Sequence, residues 1–197
     1  MSEAVTVLLV HGGLWEDMDA ERFWHRPGIT AGLRQHDVEV LAPDRLDRAV
    51  SWADEAAHLA GALPERPVAV VAGSNGCSAA VRLALDRPEL VARLLLAWPA
   101  TAGDPEVDVH APEGVGVMLD GGILRGVDDK ELASVTVPVG LLPSVPANLA
   151  HQRRTVDALR KAWPHAVELP GCPEPPRPDF APHAASFVDT VVRFVRG

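Results

Sequence analysis

Val68-Ala69-Val70-Val71-Ala72-Gly73-Ser74-Asn75-Gly76-Cys77-Ser78-Ala79-Ala80-Val81-Arg82-Leu83-Ala84-Leu85 joins a short apolar, β-branched run to a helical pattern through small residues. The run reads as a buried strand, and the periodicity after Gly76 reads as a helix with one apolar face. Between them stands Ser74, with Gly73 before it and Gly76 two positions after. A turn this tight forces strand and helix together at unfavourable dihedrals, which small neighbours permit. It presents a serine hydroxyl at a helix N-terminus, where backbone N–H groups can face a developing negative charge. Ser74 is therefore the first candidate nucleophile.

Upstream, residues 5–10 form a continuous apolar run, the pattern of a strand buried on both faces of a parallel sheet. The run ends in His11-Gly12-Gly13-Leu14-Trp15, a glycine turn that allows close backbone approach. Residues 20–34 read as an irregular helical segment, and residues 38–44 give a second strand closed by Pro43-Asp44. Ser51 is placed to cap a helix with Asp54 and Glu55 in its first turns. Further strands are expected at 91–98, 135–142 and 166–169, with helices at 151–163 and 184–196. Residues 170–182 form a loop with six prolines, and 101–133 carry weak signals broken by Gly, Asp and Pro. This alternation predicts one α/β domain over residues 1–197: a mostly parallel sheet between two helical layers, with 101–133 an excursion over the edge where ligands bind.

Composition narrows the function. The chain has 197 residues, 47% of them hydrophobic and 23% charged, enough for one sizeable core. A net charge of −9 argues against a nucleic-acid surface or a polybasic membrane patch. Two cysteines, Cys77 and Cys172, are too few for a disulfide framework and point to a reducing cytoplasm. The beginning of the chain has no basic leader, and its apolar run is too short for a membrane span. No paired ligand spacing suggests a metal, and no glycine motif suggests a dinucleotide or phosphate loop, so no cofactor is expected.

With the serine turn, the His-Gly-Gly turn and this strand–helix order in hand, the chain resembles the α/β-hydrolase superfamily, from about Val5 to the C-terminus. Ala72 stands where the family's G-x-S-x-G elbow has its first glycine. The likeness implies a minimal cap in 101–133. It also implies Ser74 as nucleophile, with oxyanion donors from the N–H of Asn75 and of Gly12 or Gly13. The family's triad runs Ser, acid, His, but here both later slots are altered. The turn at 143–148, where the acid is expected, has no Asp or Glu. Gly171-Cys172-Pro173-Glu174 stands where the base is expected.

A serine hydroxyl is a poor nucleophile without a base, so substitutes are needed. His151 opens the helix after the late strand; His183 starts the last helix; His110 lies in the excursion; Glu174 would serve as a carboxylate base if burial raised its pKa. Asp104, after the strand at 91–98, is the candidate acid. His11 reads as part of the glycine turn and Cys77 as packing. Trp15 and Trp98 are expected to line an apolar pocket at the same sheet edge. The expected function is a small esterase- or thioesterase-like serine hydrolase acting on a small acyl or apolar molecule. The alternative is a non-hydrolytic or catalytically silent member, a small-ligand binder or a cofactor-free lyase or proton-transfer enzyme.

Overall fold

A computed structural model describes residues 5–197; the first four residues, included in the expected domain and in the reading of a missing leader, lie outside the described residues. Six strands form one parallel sheet: β1 (Thr6–Val10), β2 (Glu39–Leu41), β3 (Val68–Gly73), β4 (Val91–Ala97), β5 (Val139–Leu142) and β6 (Val167–Glu168). Their spatial order is β2-β1-β3-β4-β5-β6. Every pairing is parallel, so every strand delivers its C-terminal end to the same edge. The expected α/β sandwich is what the chain forms.

Period-two alternation divides the strand residues between two cores. Leu8, Val10, Val70, Ala72, Leu94 and Leu96 face one layer. That layer holds α2 (Trp52–Gly61), α3 (Gly76–Asp86) and α6 (Arg153–Ala162). Val7, Leu9, Val71, Leu95 and Ala97 face the other, with α1 (Ile29–Gln35) and α7 (Ala184–Arg196). The Ser51 hydroxyl caps α2 by accepting from the Asp54 N–H at 3.0 Å, as expected of that residue type.

Two expectations change. The segment read as an irregular helix at 20–34 is a single π turn (Glu21–His25) followed by α1, which begins after Gly28 at φ +82°. The expected strand at 135–142 begins only at Val139, because Pro138 has no N–H for the ladder. Residues 101–133 hold two helices of four residues, α4 (Pro105–Asp108) and α5 (Asp129–Leu132); Glu131 of α5 pairs with Arg82 of α3, and the Leu132 carbonyl accepts the Trp163 indole N–H. Among the described residues no helix is long and apolar enough to cross a membrane.

Candidate active site

Ser74 follows the last residue of β3 at φ +53°, a left-handed conformation that costs a non-glycine residue on the order of 1–3 kcal/mol. The surroundings hold it there. Its backbone N–H donates to the Ala97 carbonyl at 3.0 Å, continuing the β3–β4 ladder through the turn. α3 then starts so close to β1 that a Cβ on Gly76 would lie 2.4 Å from the His11 carbonyl oxygen. A Cβ on Gly12 would lie 2.9 Å from the Ser74 Cβ. The small residues on both sides of the serine are thus demanded by contact between two turns.

His151 Nε2 lies 2.8 Å from Ser74 Oγ. On the other side of the ring, Nδ1 lies 3.3 Å from Glu174 Oε1. The second contact is long and off-line for an N–H donor, and His151 Nδ1 has no hydrogen bond of full geometry. Such looseness is common in unliganded catalytic sites. The three side chains come from three loops at one sheet edge: after β3, after β5 and after β6.

The loop after β5 and the loop after β6 are laced together. The Cys172 carbonyl accepts the Val145 N–H at 3.2 Å and the Trp98 indole N–H at 2.8 Å. Asn148 ties the two loops to each other: its Nδ2 donates to Glu174 Oε1 at 2.9 Å, while its Oδ1 accepts the N–H groups of Ala150 and His151, each at 3.1 Å. The Ser144 hydroxyl lies 2.8 Å from Glu174 Oε2 and 3.0 Å from the Pro146 carbonyl, and its one proton is better placed on the charged acceptor. Burial alone would raise the Glu174 pKa. The imidazole of His151 beside it, then the Ser144 hydroxyl, outweigh it and hold the carboxyl at about 2.

Glu174 is therefore no neutral-range base. It is ionised, and it sits on the far side of the imidazole from the serine. Asp104, the candidate acid, is engaged elsewhere: its carboxylate caps α4 through the Glu106 N–H and accepts from Gln152 and Arg154, each side-chain contact at 2.9 Å. The Gln152 hydrogen bond, the Glu106 N–H and Arg154 depress its pKa. His183 faces a separate cleft beside Pro170, Cys172 and Asp189, because the last helix begins a turn too late to reach the strand edge. His110 does line the serine's cavity. Cys77 is fully buried, and that burial pushes its thiol far up.

A cavity of about 300 Å³ opens over Ser74, Asn75, His151 and Glu174. Leu14, Met18, Phe23, Val107, Ala111 and Pro112 supply apolar walls; Glu16, Arg125 and Arg177 supply charge. Gly13 lines it, whereas Gly12 lies behind, along the neighbouring cleft. Neither expected tryptophan is a wall of this cavity. Trp98 is fully buried and stacks on Phe187 with centroids 5.0 Å apart. Trp15 turns away to donate to the Ala49 carbonyl at 3.1 Å. An aromatic residue at the end of a buried strand has as much apolar area to hide as any core residue, and here packing takes it.

Sequence reasoning missed Ser144, Asn148 and Arg125. Arg125 crosses from the excursion to donate to Asn75 Oδ1 at 2.6 Å and to Asp108 at 2.8 Å. The only available signal was an Asn three positions before a His, a spacing suited to a side-chain-capped turn. Among the described residues no three His, Cys, Asp or Glu side chains gather as metal ligands.

No protein-family model matches the sequence, and no curated protein matches it significantly. Solved structures do match. The meta-cleavage product hydrolase CumD from Pseudomonas fluorescens IP01 superposes with a TM-score of 0.78 at 16% identity, over 98% of this chain and 91% of that one. MGS-M2, an alpha/beta hydrolase enzyme from a Medee basin deep-sea metagenome library, gives 0.74 at 10% identity, over 100% and 91%. The serine hydrolase CarC, involved in carbazole degradation, gives 0.72 at 15%, over 98% and 91%. At these identities the likeness is one of fold.

Proposed function

From the premise that the chain has the α/β-hydrolase fold, we propose that it is a small serine hydrolase cleaving an ester or thioester of a small acyl compound. The observation that carries this reading is the 2.8 Å approach of His151 Nε2 to Ser74 Oγ, with Glu174 behind the ring. A base in reach and a carboxylate behind the ring count against a catalytically silent member.

In this reading Ser74 Oγ attacks the acyl carbonyl and its proton passes to His151 Nε2. The imidazolium so formed faces Glu174, already ionised. The carbonyl oxygen gains charge opposite the N–H groups of Asn75 and Gly13. As the tetrahedral species collapses, the C–O or C–S bond breaks and His151 returns the proton to the leaving alcohol or thiol. Water, deprotonated by the same nitrogen, then attacks the acyl-serine, releasing the acid and restoring Ser74.

The order along the chain is Ser, His, Glu. The loop after β5 carries the base and the loop after β6 carries the acid, an exchange of the two later roles relative to the superfamily order the sequence resembles. The minimal cap is residues 101–133, which bring Val107, His110 and Arg125 to the cavity. A fluorophosphonate probe should label the wild-type protein at Ser74 and leave Ser74→Ala unlabelled. A folded wild-type sample that stays unlabelled at high probe concentration sinks the proposal.

A further inference from the structure

Arg45 has no part in the proton transfers above, yet it is the most heavily engaged buried cation near the site. Its side chain is 6% exposed, and its Nη2 donates to Glu55 Oε1 at 2.8 Å. Nη1 reaches three successive carbonyls, those of His11, Gly12 and Gly13, at 3.3, 3.2 and 2.8 Å. The Arg45 backbone N–H donates to His11 Nε2 at 2.9 Å. That contact requires an acceptor at Nε2, so the proton of the neutral ring sits on Nδ1. Burial, the largest influence on His11, lowers its pKa and keeps it neutral. Nδ1 then donates to the Gly12 carbonyl at 2.8 Å. The Gly12 oxygen is held by two donors at once.

Across a trans peptide the carbonyl and the following N–H point in opposite directions. A Gly12 carbonyl turned toward Arg45 and His11 therefore turns the Gly13 N–H away from them. Arg45 lines the cleft on one side of the turn, and Gly13 also lines the cavity of Ser74 on the other. Two adjacent glycines do not fix that orientation themselves, since Gly13 sits at φ +91° and lacks a side chain to lock it. A flipped peptide would aim a carbonyl, not an N–H, at the developing oxyanion.

We propose that Arg45, acting with His11, is a positioning residue that clamps the Gly12–Gly13 peptide so that the Gly13 N–H serves as an oxyanion donor. The inference rests on the hydrolase reading. It specifies why arginine is needed: a planar fork can hold several carbonyls and Glu55 together, and a lysine ammonium cannot reproduce that geometry.

The test compares wild type with Arg45→Lys and with Arg45→Met/Glu55→Leu, which removes both charges and strands neither. Two readouts are followed: hydrolysis of p-nitrophenyl acetate, and inhibition by a trifluoromethyl ketone, whose tetrahedral serine adduct places an oxyanion in the same hole. In the folded double variant kcat should fall about 100-fold, the lower end for losing one oxyanion donor, with KM little changed. Ketone affinity should fall by the same factor, and Arg45→Lys should recover only part of both. Should the double variant not fold, Arg45→Lys carries the comparison alone, with parallel losses of kcat and ketone affinity expected. Wild-type kcat and ketone affinity in a folded variant, or a loss of kcat with ketone affinity intact, overturns the clamp. A wild-type protein that neither turns over nor labels at Ser74 overturns the hydrolase reading itself, and the clamp with it.

Discussion

Glu55 and Glu174 are both buried carboxylates, 1% and 8% exposed, and each faces a nitrogen group beside the Ser74 cavity. Their partners differ. Glu55 meets Arg45, a guanidinium that is charged at every accessible pH, so the pair is static. Glu174 meets His151, an imidazole, a group able to take up and give back a proton, and is also held by the uncharged Ser144 and Asn148, with the half-exposed Arg177 guanidinium 3.5 Å from Oε1. A permanent ion pair braces a turn. A carboxylate beside an imidazole is placed to meet a proton that comes and goes.

The contrast can be broken most forcefully at the serine side. Ser74→Ala and His151→Ala should each lower kcat by roughly 10⁶-fold, as loss of nucleophile or base does in serine proteases. Steady-state rates on a p-nitrophenyl ester check this, and a His151→Ala protein with near-wild-type kcat would place the base elsewhere.

Glu174→Gln should cost about 10⁴-fold in kcat, because the amide keeps the shape but misdirects the imidazole proton. Its fold should persist, since Asn148 and Ser144 can repartner with an amide. Glu55→Gln should do the reverse, destabilising the protein by about 3–5 kcal/mol as a buried Arg loses its counter-charge, while Ser74 still labels. Urea melts beside kinetics separate the two, and the contrast collapses if both variants lose stability equally.

A smaller effect follows from the depressed pKa of Glu174, about 2 against an ordinary 4.5. A carboxyl with a lowered folded-state pKa stabilises the fold fully above the unfolded value. It loses that contribution as pH falls through the folded one. The stability advantage of wild type over Glu174→Gln should therefore shrink as pH falls from 4.5 toward about 2. An advantage that grows on acidification would contradict the network described. The smallest effect belongs to Asp104→Asn: its carboxylate serves α4 and the neighbouring Gln152 and Arg154, so kcat should stay essentially unchanged.

Much of the architecture was legible along the chain. Apolar runs at β1, β3 and β4, the last interrupted by Arg93, marked buried parallel strands. Small residues around Ser74 marked a turn under close contact, and Ser51 with Asp54 marked a helix start. The site was legible only in part. His151 stood out as a candidate base, while Glu174 stood out as a carboxylate but not as the group behind the imidazole. A carboxylate can be a base or an orienting acid, and the choice depends on donors that approach it from another loop. Asp104 attracted attention because it follows a strand end, and nothing near it in sequence shows that Arg154, fifty positions away, holds it.

Local pattern alone determined the sheet, its parallel sense and the presented serine, because these depend on periodicity and on steric demands within a few residues of each other. Tertiary structure decided which loop supplies the imidazole and which the carboxylate. It also decided that Trp98 packs instead of lining the cavity, and that Arg45 grips the glycine turn. Each of those outcomes depends on distance and direction between groups far apart in the chain, and those quantities exist only once the sheet has brought its strand ends to a common edge.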